Sequence, residues 1–163
     1  MNNATEKDLH RIVAACIVHR IPTSGIPEYL VLKRRNDISV YPGLWTVPAG
    51  GLEREDYEHT VKTSPDGWEN VLDATIRREV LEEGNVLIGE LTRSDTFVFI
   101  RPDDIPVFGM RYSAPYLSGE AKFEPTEATE IRWIRADELD GFSFLGSIPQ
   151  EIRMLDERLR DGI

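Results

Sequence analysis

The chain has 163 residues, 40% hydrophobic and 29% charged, with a formal net charge of −10. That length fits one domain able to bury a core without disulfides or a structural metal, and a single domain over 1–163 is expected. The charge argues against a DNA or RNA polymer as partner, which demands a basic surface, and no run approaches the ~18 apolar residues of a membrane span.

The first ten residues, Met1 to His10, are polar and carry both charge signs, without the apolar stretch of a signal peptide. A cytoplasmic protein is therefore expected. Arg11 to Val18 is apolar and β-branched and reads as a strand around the single cysteine, Cys16, expected to be a buried thiol. Turn chemistry over 21–27 leads to a second strand, Glu28 to Lys33. Trp45 to Val47 is a short extended piece before Pro48-Ala49-Gly50-Gly51. Residues 54–66 are polar and aperiodic, a loop. Val71, Leu72, Thr75, Ile76 and Val80 then recur at helical spacing, which predicts a helix from Trp68 to Glu83, stopped by Gly84-Asn85. Strands follow at 86–89, 96–100, 107–117 and 130–134, a helical turn at 136–139 and a terminal helix over 148–160. Strands interleaved with two substantial helices predict an α/β fold, a mixed sheet with helices packed on it.

The chemistry-bearing stretch is Arg78-Glu79-Val80-Leu81-Glu82-Glu83-Gly84-Asn85. On a helix Glu79, Glu82 and Glu83 stand at i, i+3 and i+4 and share one face. Like charges at that spacing repel, and the negative end of the helix dipole disfavours anions in the last turn. Local helix physics would place Lys or Arg there. A divalent cation supplies the missing compensation, Mg²⁺ above all, since it takes oxygen ligands and retains waters that a phosphate can replace. The competing explanation is a solvated acidic face.

Upstream stands Pro48-Ala49-Gly50-Gly51-Leu52-Glu53, with Asp56 six positions after Gly50. With Arg78 to Val86 this resembles the Nudix family (MutT-like domain), whose signature is Gly, five residues, Glu, seven residues, then Arg-Glu-aliphatic-x-Glu-Glu-x-Gly-aliphatic. The resemblance spans about residues 11–133. Three positions depart from it. Asp56 replaces the middle Glu, twenty-one residues (57–77) stand where the family has seven, placing an insertion at about 57–70, and Asn85 replaces the last Gly. Asn is a good substitute in a left-handed helix cap, and long surface loops cost little closure entropy.

The resemblance implies an α/β/α sandwich with a loop–helix–loop that holds Mg²⁺ or Mn²⁺. It implies Glu79, Glu82 and Glu83 as ligands, Glu83 the most essential, joined by the Gly50 carbonyl, with Arg78 bracing the carboxylates through Asp56 or Glu53. The implied activity is metal-dependent cleavage of a diphosphate linkage in a nucleoside diphosphate derivative or a nucleoside triphosphate. Glu82, Glu83, Arg78 and a loop glutamate, Glu127, form the implied catalytic set, with Glu124 and Glu130 as rivals for the last place. For the substrate it points to an arginine at the end of the second strand. Only one of Arg34 and Arg35 can face the site, and Arg35 is preferred. Tyr41 is placed to stack on a base; Phe108 and Trp45 are the other aromatics near the predicted cleft, with core or loop packing the expected reading for Trp45. The insertion is expected to be a flap beside the metals, and a homodimer is the expected assembly. The alternatives are a non-catalytic Nudix-fold nucleotide-binding or sensor module, and an isomerase resembling isopentenyl diphosphate isomerase, which would need a cysteine in the site.

Overall fold

The computed structural model describes residues 9–162; the polar segment 1–8 and residue 163 lie outside the described residues. In chain order the elements are β1 (Arg11–Arg20), β2 (Glu28–Arg34), β3 (Trp45–Thr46), β4 (Ala49–Gly51), α1 (Val71–Gly84), β5 (Val86–Ile88), β6 (Thr92–Ile100), β7 (Pro106–Gly119), β8 (Ala128–Ile134) and α2 (Ile148–Asp161). Short 3₁₀ turns occupy Arg54–Asp56 and Ala136–Gly141.

The strands form one mixed sheet. Its spine runs β3-β2-β1-β7-β5, with β4 on β1, β6 on β7 and β8 on β2. β1 and β7 pair in parallel from Arg11↔Val107 to His19↔Pro115, and every other ladder is antiparallel. Alternation along β1 divides the core in two. Ala15 and Ile17 join Tyr29, Val31, Ile134 and the α2 residues Ile148, Ile152 and Leu155 on one face. Ala14, Cys16 and Val18 join Leu30, Tyr112 and the α1 residues Ile76 and Val80 on the other. Each large apolar side chain so buried contributes about 1.5–3 kcal/mol. The sheet is thus held between α1 and α2, the expected α/β/α sandwich.

Helix α1 starts three residues later than the periodicity predicts. Asn70 precedes it in the left-handed region (φ 57°), so Trp68 to Asn70 cannot continue the helical turn. Asn70 Oδ1 accepts from Arg93 at 2.7 Å, and Asp73 accepts from Arg93 (3.0 Å) and Tyr112 Oη (2.9 Å), which fixes the start of α1 to β6 and β7. At the other end Asn85 takes φ 54°, donates its N–H to Leu81 O at 3.0 Å and its side-chain amide to Glu120 O at 2.9 Å. Among the described residues no helix is long and apolar enough to cross a membrane.

Candidate active site

Glu79, Glu82 and Glu83 lie in the second half of α1, the half that faces β4. β4 pairs with β1 through Ala14↔Gly50. That places Gly50 against Glu79 so closely that a Cβ added to the glycine would fall 1.9 Å from the Glu79 carboxyl carbon. Here glycine is required by close approach, since any side chain would expel Glu79. One residue earlier the Ala49 N–H donates to Glu83 Oε2 at 2.9 Å. The Pro-Ala-Gly-Gly turn therefore acts as a backbone shelf under two of the three carboxylates.

Arg78 ties the group together. Its Nε and Nη2 reach Asp56 at 2.7 and 3.2 Å, its Nη1 reaches Glu79 at 2.8 Å and Glu82 at 3.0 Å, and Nη2 also donates to Gly51 O at 3.1 Å. Of the two partners expected for Arg78, it is Asp56 that is paired. The Asp56 side chain is 2% exposed and also accepts from Thr75 Oγ1 (2.8 Å) and the Glu53 N–H (3.0 Å). Burial pushes its carboxyl up, but the hydrogen bonds from Arg78, Glu53 and Thr75 outweigh this and hold it below the usual range. The opposite balance holds at the helix end. Burial raises Glu79 against the pull of Arg78. Burial likewise pushes Glu83 up to about 8, opposed by the Ala49 N–H and reinforced by the charges of Glu79 and Glu127.

Glu79, Glu82, Glu83, Arg78 and Ala49 to Gly51 line a cleft of about 980 Å³, a size suited to a small organic ligand. Glu124 and Glu127 line it from the loop before β8, while Glu130 does not. Glu130 pairs with Lys33 (3.0 Å) and Arg132 (2.6 Å) on the α2 face. Tyr41 lines the cleft as expected.

Three expectations are corrected. Arg34, not Arg35, lines the cleft. The β2–β8 register shifts between Lys33 and Arg34, β2 ends there, and the Arg35 guanidinium is taken up by the Asp37 carboxylate and Pro125 O. No residue of 57–70 lines the cleft. That insertion folds on itself, with Trp68 5.2 Å from Tyr57 and its indole N–H donating to Thr60 O at 3.2 Å. Phe108 lies outside the cleft, whereas Trp45 is core as expected, packed edge-on against Phe142. His19 is half-buried in β1. The sequence reading also missed Phe97, Phe99, Arg101 and Arg111, all of which line the cleft.

Cys16 is fully buried on the α1 side of the sheet, and burial pushes its thiol up to about 12. It does not line the cleft, so the isomerase alternative lacks its cysteine.

Among the described residues no three His, Cys, Asp or Glu side chains converge closely enough to hold an ion as placed. The donor chemistry nevertheless fits a hard divalent cation. Three carboxylates share one helix face, Glu79 directly against Gly50, and Arg78 and the Ala49 N–H occupy oxygens that such an ion would take. Glu82, paired with Arg78, has a side chain 57% exposed. A magnesium site needs only one or two carboxylates, with waters completing its shell.

The family model for the NUDIX domain matches residues 9–153. Among solved structures, the NUDIX domain of Shewanella oneidensis NrtR, crystallised with ADP ribose, superposes with a TM-score of 0.72 at 16% identity, over 96% of this chain and 94% of that one. A C. elegans Ap4A hydrolase in a binary complex gives 0.66 at 18% identity, over 93% and 98%. The MutT protein of Methanosarcina mazei Go1 gives 0.62 at 19% identity, over 94% of each chain. A search of curated proteins finds no match. At these identities the solved structures speak for the fold alone, whereas the family model covers most of the chain: this protein belongs to the NUDIX domain family.

Proposed function

We propose that this chain is a divalent-metal-dependent hydrolase that cleaves a diphosphate linkage in a nucleoside diphosphate derivative or a nucleoside triphosphate, with Mg²⁺ or Mn²⁺ as cofactor. One observation carries the reading. The three carboxylates of α1 line a ligand-sized cleft, Glu79 against Gly50, Glu83 on the Ala49 N–H, and Glu79 and Glu82 in the grip of Arg78. The solved relatives support the ligand class, since one was crystallised with ADP ribose and another is an Ap4A hydrolase.

A bound divalent ion would neutralise phosphate oxygens and activate water. Glu79, Glu82, Glu83 and the Gly50 carbonyl would hold it. The chain's own part is positional. Arg78 orients Glu79 and Glu82 and prevents their repulsion from splaying the helix end. The Ala49 N–H fixes the Glu83 rotamer. Glu127, on the loop facing Glu83, is placed to take the proton from the attacking water, directly or through a second water. Arg34 lies within the fields of Glu83 and Glu127 and offers a guanidinium to the phosphates.

The net charge of −10 is compatible with this substrate, because cations stand between carboxylates and phosphates. A nucleic-acid polymer is not a proposed partner, and a cytoplasmic homodimer is the proposed state. The test is phosphate release from nucleotide sugars, ADP-ribose, dinucleoside polyphosphates and nucleoside triphosphates with Mg²⁺. Turnover of at least one diphosphate that stops with chelator is expected. Tight binding without turnover of any would favour the sensor alternative instead.

A further inference from the structure

The register of three strands lays one charged residue across the cleft from the carboxylates. Ala15 of β1 pairs with Ala49 of β4 on one side and with Arg111 of β7 on the other, so the three form a single cross-strand row, and all of them line the cleft. Two strand spacings separate the ends of that row, roughly 10 Å. At one end the Ala49 N–H holds Glu83. At the other, Arg111 pairs with Glu151 in the first turn of α2, and Leu145 to Ile148, leading into that turn, also line the cleft.

Arg111 is costly where it stands. Its side chain is only 8% exposed, and its Nε finds no acceptor among the described residues. The Phe97 ring lies 4.7 Å from the guanidinium, which fixes its place without accepting a hydrogen bond in the plane of the fork. Glu151 is the one anion it meets among the described residues, and that carboxylate is shared with the Ser147 hydroxyl at 2.5 Å. The Ser147 side chain is thereby turned away from the α2 amides and caps none of them. A cation beside the positive end of a helix runs against the dipole. An apolar residue at 111 would instead extend the core formed by Ala15, Ile17 and Ile148 with no charge to desolvate. Packing alone therefore does not call for a guanidinium with spare donors here, whereas an anion entering the cleft would use it.

We propose that Arg111 is a specificity-determining residue, which together with the first turn of α2 receives a second anionic group of the substrate, a phosphate or carboxylate carried roughly 10 Å from the diphosphate. This rests on the diphosphate reading above for the direction of the ligand, with the diphosphate at the α1 carboxylates. Glu151 holds the guanidinium when no ligand is bound and competes with the incoming oxyanion for it. A substrate whose distal group is neutral leaves Arg111 with that one partner and gains nothing from it.

Calorimetric titration of the whole chain, without divalent metal, with two pairs of ligands that differ by one acid group tests the proposal separately from turnover. UDP-glucuronate against UDP-glucose reports on a carboxylate, and NADP⁺ against NAD⁺ on a phosphate. In at least one pair the acid-bearing member binds about tenfold more tightly or better, and the pair that shows it tells carboxylate from phosphate. Arg111→Met reduces that preference to within about threefold while leaving affinity for the neutral member unchanged, a selective loss that a merely structural role would not produce. Glu151→Gln, the second variant should Arg111→Met not fold, releases the guanidinium and raises the preference severalfold. Equal affinity within both pairs, or a preference that neither variant alters, overturns the subsite. Acid-group preference without hydrolysis of any diphosphate would remove the catalytic reading and leave this one standing; hydrolysis indifferent to the acid group would do the reverse.

Discussion

The Arg78 Nε lies 2.7 Å from Asp56 Oδ1, across 22 positions of chain that include the whole insertion. The pair closes the loop onto α1 and sets the direction of the guanidinium whose far nitrogen holds Glu79 and Glu82. Asp56, one methylene shorter than the Glu of the family signature, reaches Arg78, with the Thr75 hydroxyl and the Glu53 N–H completing its shell.

Asp56→Asn is expected to cost about 1–3 kcal/mol at pH 7, because it leaves a partly buried guanidinium without its closest anion. The folded carboxyl is held below its ordinary value, so its contribution is present above the unfolded pKa near 4 and is lost as pH falls through the lower folded value. Urea unfolding of wild type and variant at pH 7 and at pH 3 should show the difference shrinking in acid. A difference independent of pH would mean that the charge of Asp56 is not what stabilises.

At Asn85 the left-handed cap favours glycine sterically, but Gly forfeits the amide bond to Glu120 O. Asn85→Gly is therefore expected within about 0.5 kcal/mol of wild type, and Asn85→Val to be less stable by about 1–2 kcal/mol, a β-branched residue being poorly tolerated there. Thermal denaturation of the two variants decides it, and equal melting points would show the cap to be tolerant of any residue.

The insertion makes its aromatic contact internally and no part of it lines the cleft. Replacing 58–66 by a short Gly-Ser linker should leave kcat and KM within about threefold of wild type and the melting point little changed, since long surface loops add little to closure cost. A large rise in KM would place the loop over the substrate after all.

Glu127→Gln should lower kcat by roughly 10- to 10³-fold as expected of a lost general base. Glu130→Gln should change it less than about threefold, because Glu130 is committed to Lys33 and Arg132 and does not line the cleft. Glu124 faces the cleft but its Oε1 accepts from the Thr126 N–H and hydroxyl at 3.3 and 3.2 Å, and its loss should act through the loop, by less than about tenfold. Steady-state kcat at saturating Mg²⁺ for the three variants separates them; collapse in Glu130→Gln alone would relocate the base.

The strands and both helices were legible from alternation and from the 3.6-residue period, since the residues that carry those patterns are the ones the two cores bury. The carboxylate face was legible because it breaks helix rules. Arg34 was not, because the choice between two adjacent arginines depends on a register shift between Lys33 and Arg34 that leaves no local mark. One signal for Arg35 was present in the sequence, an aspartate two residues on that now binds its guanidinium. The start of α1 was missed because Trp68 to Asn70 continue the composition of a helix while Asn70 takes a left-handed conformation that composition does not show. Phe97 and Phe99 went unnoticed because Thr-Phe-Val-Phe-Ile is apolar on both faces of β6, so alternation could not say which face meets the cleft. Their place in the cleft emerges only from the pairing of Phe97 with Gly109 and from the turn that brings Tyr41 beside Phe99.

The central claim is that the α1 carboxylates hold the ion that makes the cleft a catalyst, and Glu83→Gln tests it most directly. Glutamine still accepts the Ala49 N–H and relieves repulsion at the helix end, so the variant should fold with unchanged or higher stability. Titration calorimetry with Mn²⁺, alongside turnover of the best diphosphate found, should show metal affinity weakened and kcat lowered by roughly 10²-fold or more. A folded Glu83→Gln protein that binds Mn²⁺ and turns over substrate as wild type does would contradict the account.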